Sequence, residues 1–355
     1  MYFHHLHFYV RDVAFWRDWF IHRLAFSSAA QASVAEPLHT VVVRQGSIEI
    51  RLSSERVPYV QDYLQRHPEG LVDVGFATDR FDQVLRRSRQ QGAQCRCPVI
   101  LNAAGQRQCQ LQGWGDLRHT LIEVSPQWVR SQTANPPATA NPAKQPWLAA
   151  IDHVVLNVPQ GELSAATDWY RRVFGLENGQ TFDINTAHSG LHSQVLVHPQ
   201  GTLQLPVNEP TSPNSQVQEF LHHNRGAGVQ HVALRGPDAV GAIAYFRQQG
   251  LQLIDVPATY YDGLQRRIDC PISDISAASR QQLLLDWAKG GQQGMLLQTF
   301  TKPIFAEPTF FFEIIERSLY FEKNQVKVAQ GFGEGNFQAL FEAIERAQIS
   351  RGTLT

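Results

Sequence analysis

The chain has 355 residues, enough for two domains that each bury a core, and its 43% hydrophobic and 18% charged content excludes wholesale disorder. Lys plus Arg (31) balances Asp plus Glu (32), so the formal charge is −1 and there is no basic footprint for nucleic acid or an anionic membrane. Four Cys cannot staple a chain of this size, no apolar run approaches the ~18 residues of a membrane span, and Met1-Tyr2-Phe3-His4-His5 lacks the pattern of a signal peptide; the expectation is a soluble cytoplasmic protein.

In chain order, residues 3–26 read as a short alternating strand followed by an aromatic-rich amphipathic helix that ends at Ala25-Phe26. Gly70–Phe76 reads as a second strand, with a helix after it (Phe81, Val84, Leu85) that a Gly at 92 closes. His119–Val124 is a β-rich strand carrying one Glu. Residues 126–146, with five Pro among Ala, Asn, Thr and Gln, read as an interdomain linker. The same series then repeats. Residues 151–176 match 3–26, Gly228–Leu234 and its helix (Val240, Ile243, Phe246, Gly250) match the second pair, and Phe310–Ile315 matches His119–Val124. Strand–helix–strands occurring twice per half predicts an α+β fold of duplicated βαβββ modules with curved mixed sheets. The predicted domains are 1–125 and 147–355, with a C-terminal helix over Asn336–Arg351 entered through the Gly-rich stretch 331–335.

Three residues of the second half stand at chemistry-bearing places on separate strands: His153, His231 and Glu313. No local motif joins them, so only a folded sheet could. Two imidazoles and one carboxylate are the donors of a facial triad, which leaves open positions on a metal such as Fe(II) for a bidentate substrate and O₂. Each His is equally readable as a hydrogen-bonded core residue. Glu313 is harder to dismiss, because Phe310-Phe311-Phe312-Glu313-Ile314-Ile315 is apolar on both sides and a carboxylate buried there must be paired or metal-bound. His222-His223 precedes Asn224-Arg225-Gly226 and reads as solvated surface; Cys95 and Cys97 read as reduced structural thiols. In the first half His5, Asp73 and Glu123 fall opposite the three, and read as a vestigial site with a structural role.

Several strings of the second half are specific: Asp152-His153-Val154-Val155-Leu156-Asn157-Val158, Leu205–Pro210, Gly226–Leu234, Pro257–Tyr261, Leu297–Pro303, Phe311–Arg317 and Gly331–Phe337. In order and spacing they resemble the 4-hydroxyphenylpyruvate dioxygenase family of the vicinal-oxygen-chelate superfamily, over residues 150–345, with a weaker resemblance in the first half. The resemblance implies a vicinal-oxygen-chelate, glyoxalase-like fold and one Fe(II) per chain held by His153, His231 and Glu313. It also implies catalytic roles for Gln216, Gln230, Gln298 and Asn336, and substrate binding by Ser193, Asn208, Phe300, Phe311, Phe332 and Phe337. Amides and hydroxyls suit that work because they orient a phenol and a keto acid without adding charge.

The reaction so implied converts 4-hydroxyphenylpyruvate and O₂ to homogentisate and CO₂, in tyrosine catabolism or prenylquinone biosynthesis, within a homo-oligomer (dimer or tetramer) and under a C-terminal lid helix. Two alternatives remain at this level: 4-hydroxymandelate synthase, which uses the same substrate, and a non-catalytic small-molecule-binding module of the same fold.

Overall fold

The computed structural model describes residues 1–28, 40–133, 146–186, 189–199, 203–265, 275–287, 294–323 and 325–352. Each half builds one eight-stranded mixed sheet. In the second half the spatial order is Glu177–Asn185, Gly190–Val197, Gln204–Pro210, Ala150–Asn157, Gly228–Arg235, Phe311–Arg317, Met295–Phe300, Leu284–Trp287. The first half repeats it as Ser27–Ser28, Thr40–Gln45, Ile48–Ser54, Tyr2–Val10, Gly70–Thr78, Arg118–Glu123, Arg107–Gln112, Ile100–Leu101. Two βαβββ modules therefore meet in each sheet through an antiparallel central pair, flanked on both sides by parallel neighbours. This is the duplicated α+β architecture the repeats predict.

Local chemistry sets the repeat. Asp12 caps the helix Val13–Leu24 by accepting from the Phe15 N–H (2.9 Å), and Asp238 caps Ala239–Gln248 through the Gly241 N–H (2.8 Å). The helices Val13–Leu24 and Leu163–Phe174 both end on a left-handed residue, Ala25 (φ 57°) and Gly175 (φ 70°), so each chain turns back at the same point of its module. The halves also share one core. Phe8 of the first sheet packs edge-on to Phe310 (5.1 Å between centroids), Trp16 on Phe305 (4.6 Å), and His119 Nε2 meets the Tyr170 hydroxyl at 2.9 Å.

Two expectations need correction. Residues Pro126–Thr133 of the predicted linker form a helix; Trp128 and Val129 pack against the first sheet, Trp128 edge-on to Tyr2 (5.9 Å) and stacked on His4 (6.0 Å). Two apolar side chains one turn from the strand Arg118–Glu123 outweigh the polar composition around them. Residues 134–145 of that linker lie outside the described residues. The third repeat pair is also shifted. Asp73 pairs with Arg118 as His231 pairs with Phe311, which places Thr120, not Glu123, at the position of Glu313. Glu123 instead accepts from Arg107 Nε (2.8 Å) and Nη2 (3.1 Å). Register across a parallel pair is set by the backbone ladder, and the shared Glu was a misleading guide to it.

Candidate metal and substrate site

The central strands of the second sheet carry His153, His231 and Glu313 onto one face. Their ligand atoms lie within 4.8 Å of one another. His153 Nε2 is 3.2 Å and His231 Nε2 3.7 Å from Glu313 Oε2. Two irregularities in the central pair explain why consecutive residues share this interior. The register slips between Ala233 and Leu234 opposite 151–153, leaving Asp152 as an extra residue, so both Asp152 and His153 are buried. It slips again between Val229 and His231, so Gln230 and His231 both face the cavity. A β-bulge re-aims side chains in this way.

Each ligand candidate has a different environment. His153 Nδ1 sits 3.0 Å from Asp152 Oδ1, which leaves Nε2 as the atom directed toward Glu313. Asp152 is in turn gripped by Arg317, through Nε (2.7 Å) and Nη2 (2.6 Å). Burial lowers the His153 pKa, but Glu313 and Asp152 outweigh it and bring the ring up to about 9. Burial, reinforced by the positive charge of His153, holds His231 well below its usual value. The His231 ring is stacked on Phe311 (4.9 Å, 16° between planes), and its buried Nδ1 has no hydrogen-bond partner among the described residues. Asp152 stays ionised: burial raises its pKa, but Arg317 and then His153 outweigh that and hold it well below the carboxylate range.

This donor set fits a divalent cation. Three N and O atoms converge, and the Nδ1 of His153 is fixed by a carboxylate, which leaves its Nε2 to face a cation beside His231 and Glu313.

Around these groups lies a small cavity with mostly apolar walls and a few convergent polar side chains. Ser193, Asn208, Gln216, Gln230, Gln298, Phe300, Phe311, Phe332 and Phe337 line it together with His153, His231 and Glu313. Asn336 does not line it. It stands behind, donating from Nδ2 to Gln298 Oε1 (3.2 Å) and accepting from the Tyr260 hydroxyl (2.7 Å). Gln298 Nε2 faces Glu313 Oε1 at 3.4 Å. On the other wall Asn157 donates to Gln230 Oε1 (2.8 Å) and accepts from Asn208 Nδ2 (3.3 Å), while the buried Gln216 Oε1 has no partner among the described residues. A second cavity shares Gln216, Gln230, Phe300, Phe311 and Leu340 with the first and opens between the C-terminal helix Phe337–Arg351 and the segment around Lys302 and Pro308.

Sequence reasoning passed over Asp152, Asn157 and Tyr260 as site residues, and gave Arg317 no role. A signal existed for Asp152, the one acidic residue of the strand Ala150–Asn157; Arg317 closes a strand that already carries Glu313 and Glu316 and so did not stand out. His223 meets Glu307 at the surface (2.7 Å), and Cys95 and Cys97 are free thiols.

The first half does not reproduce the site. Asp73, at the position of His231, accepts from the Thr120 N–H (2.8 Å), the Thr120 hydroxyl (2.5 Å) and Gln110 Nε2 (2.7 Å), so its lone pairs are spent on strand-to-strand bonds. Ligand atoms of His4, His5 and Glu49 also come within 4.8 Å of one another. Glu49 is already held by Arg44 and by Arg51 (2.8 Å), however, and those two guanidinium charges oppose a cation there.

Comparison with known proteins agrees with this geometry. Residues 150–274 match the model of the Glyoxalase/Bleomycin resistance protein/Dioxygenase superfamily. The 4-hydroxyphenylpyruvate dioxygenase of Danio rerio is 30% identical over 379 residues, covering 99% of this chain and 92% of its own length. An uncharacterized protein of Synechocystis sp. is 31% identical over 349 residues, covering 97% of each chain. A solved variant of 4-hydroxymandelate synthase from Streptomyces coelicolor shares the fold, with a TM-score of 0.80, 24% identity and 98% of each chain covered. The fold and the site define a vicinal-oxygen-chelate protein with a two-histidine, one-carboxylate centre. Within that class, the chain belongs to the 4-hydroxyphenylpyruvate dioxygenase family.

Proposed function

We propose that this chain is an Fe(II)-dependent 4-hydroxyphenylpyruvate dioxygenase, converting its substrate and O₂ to homogentisate and CO₂. The observation that carries the reading is the convergence of His153, His231 and Glu313 on a phenyl-walled cavity, in a chain similar to such dioxygenases along nearly its full length. Iron bound by these three residues would supply the O₂ activation and oxidative decarboxylation.

The chain's own residues supply the rest. Asp152 holds the Nδ1 side of His153 and so presents Nε2. Phe300, Phe311, Phe332 and Phe337 give the cavity an apolar wall suited to an aromatic ring, which would keep water from the reacting centre once substrate is bound. Gln216, Gln230, Ser193 and Asn208 offer uncharged donors and acceptors to a phenol and a keto acid; Gln216 Oε1, without a partner among the described residues, is the acceptor with most to gain from substrate. Asn336 holds Gln298, and Gln298 faces Glu313, so these two position the carboxylate. In this reading residues 147–355 hold the catalytic machinery and the first half supports it.

The test is anaerobic loading with Fe(II), addition of 4-hydroxyphenylpyruvate and O₂, and identification of the products. Homogentisate that disappears in His231→Ala is expected. 4-Hydroxymandelate would keep the triad and overturn the pocket reading; ligand binding without iron and without turnover would make the chain a binding module.

A further inference from the structure

Arg317 sits on the last strand of the triad, four residues beyond Glu313, and its buried guanidinium serves two structures at once. Through Nε and Nη2 it clamps both oxygens of Asp152 (2.7 and 2.6 Å), and Asp152 Oδ1 also takes the Nδ1 side of His153 (3.0 Å). Through Nη1 it donates to the carbonyls of Ala329 (3.1 Å) and Gly331 (2.9 Å). Those carbonyls begin the segment that covers the cavity. The chain turns at Gly331 (φ 93°), places Phe332 edge-on against the His153 ring (5.2 Å), turns again at Gly333 (φ 76°), and enters the C-terminal helix through Glu334–Asn336. A second thread runs from the same segment back to the site, from Asn336 through Gln298 to Glu313.

We propose that Arg317 is a positioning residue that couples cation binding at His153, His231 and Glu313 to the ordering of the covering segment 329–341; the proposal rests on the metal reading of those three residues. Its physical basis is the geometry of one guanidinium. The planar fork is fixed on Asp152 only if Nη1 points where the carbonyls of Ala329 and Gly331 wait. A cation that fixes His153 Nε2 fixes Nδ1, hence Asp152, hence the fork, hence the start of the segment. The coupling is reciprocal: an ordered segment holds Arg317, and with it the His153 ring, in the binding orientation.

The experiment is hydrogen exchange on the full-length protein, followed by mass spectrometry, with and without Co(II) under anaerobic conditions, beside Co(II) titrations read by visible absorption. In the natural chain, Co(II) is expected to slow exchange in 329–341 by on the order of 10-fold, since a coupling of this kind is worth ~5–150-fold. Arg317→Met is expected to lose roughly 10–100-fold in Co(II) affinity, the usual cost of removing a residue behind a metal ligand, to change the Co(II) spectrum, and to lose the metal-dependent protection of the segment. Arg317→Lys should restore one contact but not both, and so recover only part of either effect. Exchange in 329–341 that is the same with and without bound Co(II) in the natural chain overturns the coupling, and this measurement needs no variant to fold. Arg317→Met with unchanged affinity and unchanged protection does the same. Co(II) uptake that survives in His231→Ala overturns the metal reading itself, and the coupling with it.

Discussion

Gly333 shows how much of the site depends on one backbone angle. Its φ of 76° lies in the left-handed region, and a Cβ built there would overlap Oε1 of Gln298, the side chain that faces Glu313. Gly92 is a natural control: its φ is 80°, but a Cβ there has open space around it. Alanine at either position takes the left-handed penalty of roughly 1–2 kcal/mol. Only Gly333→Ala must also push Gln298 away from Glu313. Both variants are therefore expected to lower the urea midpoint by similar amounts, with Gly333→Ala alone losing on the order of 100-fold in kcat/KM, the cost of a displacement of about 1 Å in a catalytic constellation. Equal kcat/KM in the two variants would remove Gln298 from the working site.

At the scale of single elements, the strand Tyr2–Val10 is exceptional for the imidazoles it carries, His5 buried and His4 and His7 half-buried. His4, His5 and His7 lie on it, and His119 lies on Arg118–Glu123. Burial pushes all four down, His4, His7 and His119 to about 4 and His5 well below its usual value. Arg51 adds to the effect on His4, His5 and His7, while Glu49 opposes it at His4 and Asp73 at His7 and His119. The unfolded chain titrates these rings near 6.5. Between pH 6.5 and about 4 it therefore binds more protons than the folded chain, and stability falls as pH falls. His153 has the opposite sign: its pKa is raised to about 9, so the stability it contributes is complete below 6.5 and is lost progressively as pH rises from there through 9. It cannot offset the acid loss. Urea midpoints of the metal-free protein should drop steadily from pH 6.5 to 4, these four rings and His231, which is lowered in the same sense, contributing up to about five of the protons taken up on unfolding; a flat profile over that range would show that these rings are not held as neutral imidazoles.

The elements themselves were largely legible in the sequence, because period-2 strands, capped helices and paired glycines are local signals and the duplication states each one twice. The triad was legible as residue types, since Glu313 breaks an apolar run. What local reading could not reach was register. The bulges at Asp152 and Gln230 and the offset that sets Thr120 opposite Glu313 belong to pairs of strands distant in the chain. The helix Pro126–Thr133 escaped for a related reason: it exists because Trp128 finds Tyr2 and His4 across the fold.

At the scale of the whole molecule, the site stands in one half but the core that supports it spans both. Phe310 precedes and Phe312 lies within the strand that carries Phe311 and Glu313, and both contact Phe8 of the first sheet, edge-on at 5.1 Å in the case of Phe310. Tyr170 and Phe174 of the helix Leu163–Phe174 pack against His119 and Phe76 of the first sheet. The Leu148 N–H, at the start of the second half, donates to Gln45 Oε1 (2.7 Å). Residues 147–355 made alone would expose this aromatic face, which lies directly behind the strand of Glu313. The fragment is expected to bind a hydrophobic dye, to associate in gel filtration, and to hold Co(II) more weakly than the full chain. Adding residues 1–133 as a separate chain should reverse all three, because the aromatic face is the surface those residues cover. A monomeric fragment that unfolds cooperatively and binds Co(II) as the full chain does would mean that the second half needs no partner, and that the first sheet is an independent body rather than half of the site's foundation.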